Sequence, residues 1–169
     1  VYDSISDSKA LDAFEIAYGV RALPSYDFSK PDYIVSVGAD FLGDWQGGDH
    51  DSGYVKGRIP SRNIEGKARM SKHIQIESNM SLTGSNADRR IPMTPTQQKI
   101  ALSKIYSYIT GRTIDEELPQ KLDIIIKKIS KELLKAGEKG VIVTGLDDVN
   151  AHLLTCLLYT SPSPRDSDS

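Results

Sequence analysis

The chain has 169 residues, of which 38% are hydrophobic and 26% are charged, and its formal net charge at pH 7 is −2. This composition is typical of one globular domain, or of part of a larger protein, and it excludes a predominantly disordered chain. No apolar run approaches the roughly 18 residues of a membrane-spanning helix, and the slightly acidic balance gives no electrostatic reason to expect binding to nucleic acid.

Helix and strand signals alternate in the first half of the chain. Residues 8–18 carry apolar side chains at helical spacing and are followed by Gly19, which predicts a helix that ends there. Residues 33–37, YIVSV, predict a strand that is buried on both faces. Residues 39–71 are rich in Gly, Asp and Ser, which predicts a long surface loop with room for a short helical turn. Residues 73–77, HIQIE, alternate in polarity and predict a second strand.

An irregular stretch, residues 79–92, precedes a strong signal for the start of a helix. Thr94 is a good N-cap residue, Pro95 suits the first helical position, and Gln97 completes a capping box. The sequence therefore predicts a helix that begins at residue 95 and ends near Gly111.

The last part of the chain repeats the alternation of helix and strand. Pro119 begins a helix with one apolar stripe and lysines on the opposite side. Residues 141–144, VIVT, predict a third buried strand, and Asp147 or Asp148 can cap a final helix. Strands that alternate with amphipathic helices predict an α/β fold with an open, largely parallel sheet and flanking helices.

The C-terminal segment differs from the rest. Helical periodicity stops after Thr155, and residues 156–166, CLLYTSPSPRD, resemble one reading frame of a transposase-type sequencing adapter. The resemblance implies that residues 156–169 are a non-native tail, which we expect to be disordered, and that residues 1–155 belong to a longer protein. The alternative is a natural Ser/Pro-rich tail. The only cysteine, Cys156, lies in this tail, so we expect neither a disulfide nor a cysteine-ligated cluster in residues 1–155.

A Gly-led turn, Gly38-Ala39-Asp40, follows the first predicted strand directly. Ligands of open α/β sheets bind at the carboxyl ends of the strands, where backbone amides point into the crevice. The turn is therefore a candidate for nucleotide binding, although a single glycine is much less specific than the GxGxxG motif.

Asp49, His50 and Asp51 carry the side chains that bind divalent metals, as a metal-dependent hydrolase would require. Consecutive side chains point in different directions, however. His73 and His152 fall on a predicted strand and a predicted helix, where packing or surface positions are expected. A solvated Gly/Asp loop is the preferred interpretation, and no metal site is predicted.

Two further features have two interpretations each. Trp45, the only tryptophan, either packs on its own loop or anchors a partner. Arg89 and Arg90 either grip phosphate or acidic groups, or form ion pairs. No serine lies in a GxSxG motif, and we predict no catalytic residue.

The order of these motifs resembles that in the large subunits of molybdopterin oxidoreductases. The segments that show this resemblance are DYIVSVGAD, HIQIES and NADRRIPMTP. More specifically, GADFLGDW, SKHIQIESNMSLTGSNADRRIPM and TGLDDVNAHLL resemble the molybdopterin-oxidoreductase-like iron–sulfur subunit of alternative complex III. That family is described as a variant exported by twin-arginine translocation. The resemblance covers nearly all of residues 1–155.

The resemblance implies where a cofactor would bind. In the molybdenum enzymes, the matching turns hold the guanine nucleotide of the cofactor, and the corresponding residues here are Gly38, Asp40, Glu77 and Gln97. Two motifs depart from the family pattern: residues 77–79 replace Asp-Pro-Arg, and residues 96–98 replace Gly-Thr-Asp. Thr96 adds a branched side chain where glycine would permit close approach, and Gln98 offers an amide in place of a carboxylate. These departures imply an eroded pocket.

The resemblance also implies a role. We expect a non-catalytic scaffold segment of a quinol-oxidising respiratory complex at the periplasmic face of the bacterial inner membrane. Residues 39–71 and 79–94 would contact other domains of the parent chain and neighbouring subunits. No cofactor is expected in this segment, and 4Fe–4S and 3Fe–4S clusters would lie elsewhere in the parent chain. The alternative is a fragment of an active molybdopterin-guanine-dinucleotide-dependent oxidoreductase whose nucleotide contacts the four candidate residues.

Overall fold

A computed structural model of the chain describes residues 8–60, 63–64 and 67–160. The helices are α1 (Ser8–Tyr18), α2 (Asp51–Gly57), α3 (Leu82–Asn86), α4 (Pro95–Thr110), α5 (Gln120–Ala136) and α6 (Val149–Thr160). The strands are β1 (Tyr33–Val37), β2 (Asn63–Ile64), β3 (Lys67–Ala68), β4 (Lys72–Glu77), β5 (Arg89–Pro92) and β6 (Gly140–Thr144). Within these residues, no helix is both long enough and apolar enough to cross a membrane.

Four strands form one open sheet in the order β5-β4-β1-β6, and every pair in it is parallel. Val35 of β1 lies opposite Ile74 of β4 on one side and Ile142 of β6 on the other. The short strands β2 and β3 pair with each other in an antiparallel arrangement. The predicted α/β fold with an open parallel sheet and flanking helices is therefore confirmed.

The main hydrophobic core lies between one face of the sheet and helices α4 and α5. It includes Val35, Val37, Ile74, Ile76, Leu102, Ile105, Ile126 and Ile129, all of which are buried. Complete burial of one such side chain contributes about 1.5–3 kcal/mol. The central strand β1 is buried along its whole length, as its continuous apolar run predicts.

The opposite face of the sheet is covered by aromatic residues from the segment between β1 and β4 and from the chain before β1. Phe28, Phe41 and Tyr54 are buried there against Ile34 and Val143. The rings of Phe28 and Phe41 stack with their centroids 4.3 Å apart. The prediction of a surface loop for residues 39–71 is thus wrong at Phe41 and Tyr54, because a parallel sheet needs cover on both faces.

Residues 79–92 also differ from the predicted irregular stretch, since they contain α3 and β5. The side chain of Ser81 caps α3 by accepting a hydrogen bond of 2.9 Å from the backbone N–H of Gly84. The strand β5 is short and begins with two arginines, so its sequence lacks a β signal. Backbone pairing with β4 provides the structure instead, with Ile91 opposite Ile76.

The predicted helix boundaries are confirmed where a cap specifies them. Thr94 and Gln97 form the capping box of α4, and Gly111 ends that helix in the left-handed conformation with φ of 74°. Asp148 caps α6 by accepting hydrogen bonds from the backbone N–H groups of Asn150 and Ala151, at 2.9 and 3.2 Å.

Helix α6 extends beyond its predicted end and continues to Thr160. Residues 156–160 are therefore helical rather than disordered, while residues 161–169 lie outside the described residues. The Tyr159 hydroxyl accepts a hydrogen bond of 3.0 Å from the backbone N–H of Ile142 and donates one of 2.5 Å to its carbonyl. Because β6 is an edge of the sheet, this hydroxyl satisfies backbone groups that would otherwise lack a strand partner. The non-native origin of the tail stays a prediction.

Candidate functional site

The candidate site lies at the carboxyl ends of the parallel strands. The chain proceeds from β1 to β4 and β5 on one side, and it returns to the other side of β1 with β6. The strand order therefore reverses between β1 and β6, which is where open α/β sheets bind ligands. The loops after these two strands begin with Gly38 and Gly145.

The backbones of the two loops meet at this reversal point. A Cβ atom added to Gly145 would lie 2.4 Å from the carbonyl oxygen of Gly38 and 2.8 Å from the Cα of Ala39. The N–H of Gly145 donates a hydrogen bond of 3.0 Å to the carbonyl of Val37. The two loops therefore begin in direct contact at the reversal point.

Gly38 adopts the left-handed conformation with φ of 71°, and its N–H donates a hydrogen bond of 2.8 Å to the carbonyl of Ile76. A Cβ at this position would lie 2.8 Å from Oε1 of Gln98 and 3.3 Å from Cδ2 of Leu146. The close approach that glycine allows is used by two side chains of the protein itself.

The carboxylate of Asp40 binds within the protein. Its Oδ1 atom accepts hydrogen bonds from the backbone N–H and the hydroxyl of Thr83, at 2.9 and 2.6 Å. The Thr83 hydroxyl oxygen also accepts a hydrogen bond of 2.9 Å from the N–H of Leu42. Asp40 and Thr83 thereby fasten the loop after β1 to helix α3.

Glu77 is the most connected of the candidate residues, with only 4% of its surface exposed. Its Oε1 accepts hydrogen bonds from Nε of Arg90 at 2.6 Å and from the N–H of Ser81 at 3.2 Å. Its Oε2 accepts from the Ser81 hydroxyl at 2.6 Å and from Nε2 of Gln75 at 3.1 Å. Burial acts to raise the pKa of Glu77, but the hydrogen bonds from Ser81, Arg90 and Gln75 outweigh it and hold the pKa below its ordinary value.

Gln97 does not join the other three candidates. Its Oε1 accepts a hydrogen bond of 3.0 Å from the N–H of Thr94, within the capping box. Its neighbour Gln98 is buried in the site instead, where Nε2 donates to the Ser78 hydroxyl at 2.8 Å and to the carbonyl of Met93 at 3.1 Å. The structure therefore brings Gly38 to Gln98 and leaves Gln97 at the helix start.

A buried polar ladder runs along β4 toward Glu77. Nε2 of Gln75 donates to the carbonyl of Ala39 and to Glu77, so the Gln75 Oε1 atom must accept the proton of His73 Nε2, 3.1 Å away. With Nε2 protonated, Nδ1 of neutral His73 faces the Tyr54 hydroxyl at 3.0 Å. The carbonyl oxygen of Asn86 also lies 3.0 Å from this hydroxyl, whose single proton serves one of the two acceptors at a time. Burial lowers the pKa of His73 to about 4, so the ring is neutral at pH 7.

The alternating pattern HIQIE is the sequence signal for this ladder. His73, Gln75 and Glu77 share one face of β4 while Ile74 and Ile76 occupy the other, and all five are buried. The polar face is normally expected to meet solvent. Ser81 and Arg90, which bind Glu77, and Thr83, which binds Asp40, come from the segment predicted as irregular. No local sequence pattern identified them.

The structure does not gather Asp49, His50 and Asp51 into a metal site. Asp49 and Asp51 are exposed, while the ring of His50 packs edge-on against Phe28 with a centroid distance of 5.5 Å. Burial lowers the pKa of His50. Across the described ranges 8–60, 63–64 and 67–160, no group of three or more potential metal-ligating side chains occurs.

The structure places both features for which the sequence left two interpretations. Trp45 is half-buried, with its ring centroid 5.4 Å from those of Tyr26 and His50. Arg90 forms an ion pair with Glu77, and Arg89 is exposed. Trp45 and Arg90 thus have contacts within the chain, and binding of a partner by Trp45 or Arg89 stays a prediction.

These contacts do not fit a bound guanine nucleotide. A carboxylate that recognises guanine must accept two N–H groups, and an ionised carboxylate offers about four acceptor positions. Glu77 already accepts four hydrogen bonds from the protein. Asp40 already binds Thr83, and the space beside Gly38 holds Gln98.

No protein-family model and no curated protein matches this chain.

Proposed function

We propose that this chain is a non-catalytic α/β scaffold segment of a larger protein in a membrane-associated, quinol-oxidising respiratory complex. The proposal combines two arguments. The segments GADFLGDW, SKHIQIESNMSLTGSNADRRIPM and TGLDDVNAHLL resemble the molybdopterin-oxidoreductase-like subunit of alternative complex III. The polar groups at the position of a cofactor pocket bind to one another, which favours a structural role.

One observation carries the non-catalytic part of the proposal. The space beside Gly38 is taken by the side chains of Gln98 and Leu146. A nucleotide held by the turn after β1 would have to displace the Gln98 side chain. In such a scaffold the electrons would pass through clusters held elsewhere in the parent protein. The parent protein would lie at the periplasmic face of the membrane.

The alternative is an active molybdopterin-guanine-dinucleotide-dependent oxidoreductase in which Gly38, Asp40, Glu77 and Gln97 hold the nucleotide. The contacts of Glu77 and the separate position of Gln97 weigh against it. A metal-dependent hydrolase built on Asp49, His50 and Asp51 gains no support, because the two carboxylates are exposed and the imidazole is packed among aromatic rings.

The test is the cofactor content of the full-length parent protein, purified in its native state. We expect less than stoichiometric molybdenum by elemental analysis and no guanine nucleotide after acid extraction, together with the visible absorption of iron–sulfur clusters. Stoichiometric molybdenum with released guanine nucleotide would contradict the scaffold proposal. Absence of both molybdenum and iron–sulfur clusters would contradict the proposal that the chain is part of an electron-transfer protein.

A further inference from the structure

The outer face of helix α5 carries a row of lysines. Its members are Lys121, Lys127, Lys128, Lys131 and Lys135, and all five are exposed. At 3.6 residues per turn they fall within about one third of the helix circumference, opposite the core residues Ile126, Ile129 and Leu133. With a rise of 1.5 Å per residue, the row is about 21 Å long. We call it the lysine face.

No member of the lysine face forms a salt bridge within the described part of the chain. The lysine salt bridges found there involve Lys30, Lys99, Lys104 and Lys139. Lys127 does lie over the ring of Tyr108, with Nζ 5.9 Å from the centroid. The acidic residues of α5 flank the lysine face, and Asp123 accepts hydrogen bonds from the Tyr108 hydroxyl.

The spacing of these lysines works against the helix itself. Lys127, Lys131 and Lys135 follow one another at intervals of four residues, where like charges repel across one turn. A helix that needed only solubility would alternate lysine with glutamate on this face. The repeated like charge points to an anionic partner that compensates the repulsion.

The chemistry of the lysine face favours a smooth anionic surface over a specific acidic site. It contains no arginine, and arginine is the side chain that binds single carboxylates or phosphates through two hydrogen bonds. Lysine is depleted in the cores of protein–protein interfaces. Long lysine stems also allow the ammonium groups to reach a planar layer of charge from a curved helix.

One apolar side chain lies among the lysines. Ile124 is 61% exposed although it stands on the same face. Burial of that side chain among lipid headgroups would add a hydrophobic contribution to the electrostatic one. The overall charge of −2 does not prevent binding, because screening limits the interaction to about 8 Å at physiological salt.

We propose that the lysine face of α5 binds the surface of an anionic lipid bilayer. The contact is peripheral, with the lysines at the headgroups and Ile124 between Lys121 and Lys127 on the same face. Each lysine near such a surface strengthens binding by roughly fivefold. This inference goes beyond the scaffold role and does not depend on it, since it follows from the charge pattern of one helix.

The test is co-sedimentation of the chain with phosphatidylcholine vesicles, with and without phosphatidylglycerol, at low and physiological ionic strength. A triple variant, Lys127→Gln, Lys131→Gln and Lys135→Gln, removes the repelling row while retaining helix propensity. The matched control, Lys30→Gln, Lys56→Gln and Lys72→Gln, changes the net charge equally at three exposed lysines outside α5. Circular dichroism checks that both variants are folded.

We expect salt-sensitive binding to the vesicles that contain phosphatidylglycerol and none to pure phosphatidylcholine. The α5 triple variant should bind about 100-fold more weakly, and the control should bind like the unmodified chain. Equal weakening by both triple variants would overturn the proposal, as would no binding of the unmodified chain. Tighter binding to polyglutamate or to duplex DNA than to anionic vesicles would overturn it in favour of another class of partner.

Discussion

Replacement of Glu77 with Ala should lower the free energy of unfolding by about 3–5 kcal/mol, the cost of removing one member of a buried ion pair. The change leaves Nε of Arg90, Nε2 of Gln75 and the hydroxyl of Ser81 without their shared acceptor. Gln75 is fully buried, so water does not readily replace its lost hydrogen bond, whereas Arg90 and Ser81 are half-buried. Urea denaturation followed by circular dichroism measures the effect.

Two comparisons make this experiment specific. Glu138→Ala removes an exposed carboxylate and should change the stability by less than about 0.5 kcal/mol. Gly84→Ala would place a Cβ 1.9 Å from Oε1 of Glu77, so it should destabilise the unmodified chain but cost much less in the Glu77→Ala background. A Glu77→Ala effect no larger than that of Glu138→Ala would show that Glu77 is not structural.

Acidification from pH 6.5 to pH 4 should lower the free energy of unfolding by about 3 kcal/mol through His73 alone. Burial lowers the pKa of this residue from 6.5 to about 4 in the folded chain. Between these values the unfolded chain binds the proton and the folded chain does not, so stability falls as the pH falls. Stability no longer depends on His73 above about pH 7.5, where neither state binds the proton, and the difference between the two pKa values fixes the size of the effect.

The charged groups around His73 act in opposite directions. Arg58 opposes protonation of the imidazole, while Asp88 and Glu77 favour it. Both carboxylates have lowered pKa values, so their own stabilising contributions are present above the ordinary values, 4.5 for Glu77 and 3.8 for Asp88, and are lost at lower pH. Their titration therefore falls mostly below the window of His73.

The variant His73→Gln isolates the effect, since it retains a donor and an acceptor but cannot take up a proton in this range. Its free energy of unfolding should vary with pH by about 3 kcal/mol less than that of the unmodified chain between pH 6.5 and 4. Parallel pH profiles for the two proteins would contradict the buried, neutral state of His73. The comparison uses the change in the free energy of unfolding with pH, so a loss of stability in the variant that is the same at every pH does not obscure the result.

Local sequence signals predicted the elements whose type and boundaries are determined by residues close together in the sequence. The apolar run YIVSV specified β1, and Thr94, Pro95 and Gln97 specified the start of α4. The regular apolar stripe of α5 specified a helix that packs on the sheet. In each case the residues that determine the structure lie within a few positions of one another.

Elements defined by distant contacts were not predictable in this way. Phe41 and Tyr54 lie in a Gly- and Asp-rich segment, yet they cover one face of the sheet. The strand β5 begins with Arg89 and Arg90 and owes its conformation to pairing with β4. The end of α6 is fastened by the contact between Tyr159 and Ile142, which no periodicity reveals.

The candidate site shows the same division. The Gly38 turn was predictable because this glycine directly follows a predicted strand. The position of Glu77 at the same edge was predictable because it ends the next predicted strand. Their roles depend on Gln98, Thr83 and Arg90, which reach the same edge of the sheet from later parts of the chain. A motif comparison aligns positions, whereas the partners of each side chain decide whether a position can bind a ligand.

The central claim is that the polar groups at the carboxyl edge of this sheet bind one another rather than a nucleotide. The most direct measurement is a titration of the chain with guanosine monophosphate, followed by the amide chemical shifts of Gly38, Gly84 and Gly145. We predict no saturable shift of these signals at millimolar nucleotide. Saturable shifts at these glycines, absent with cytidine monophosphate, would show that the edge opens to a guanine nucleotide and would contradict the account.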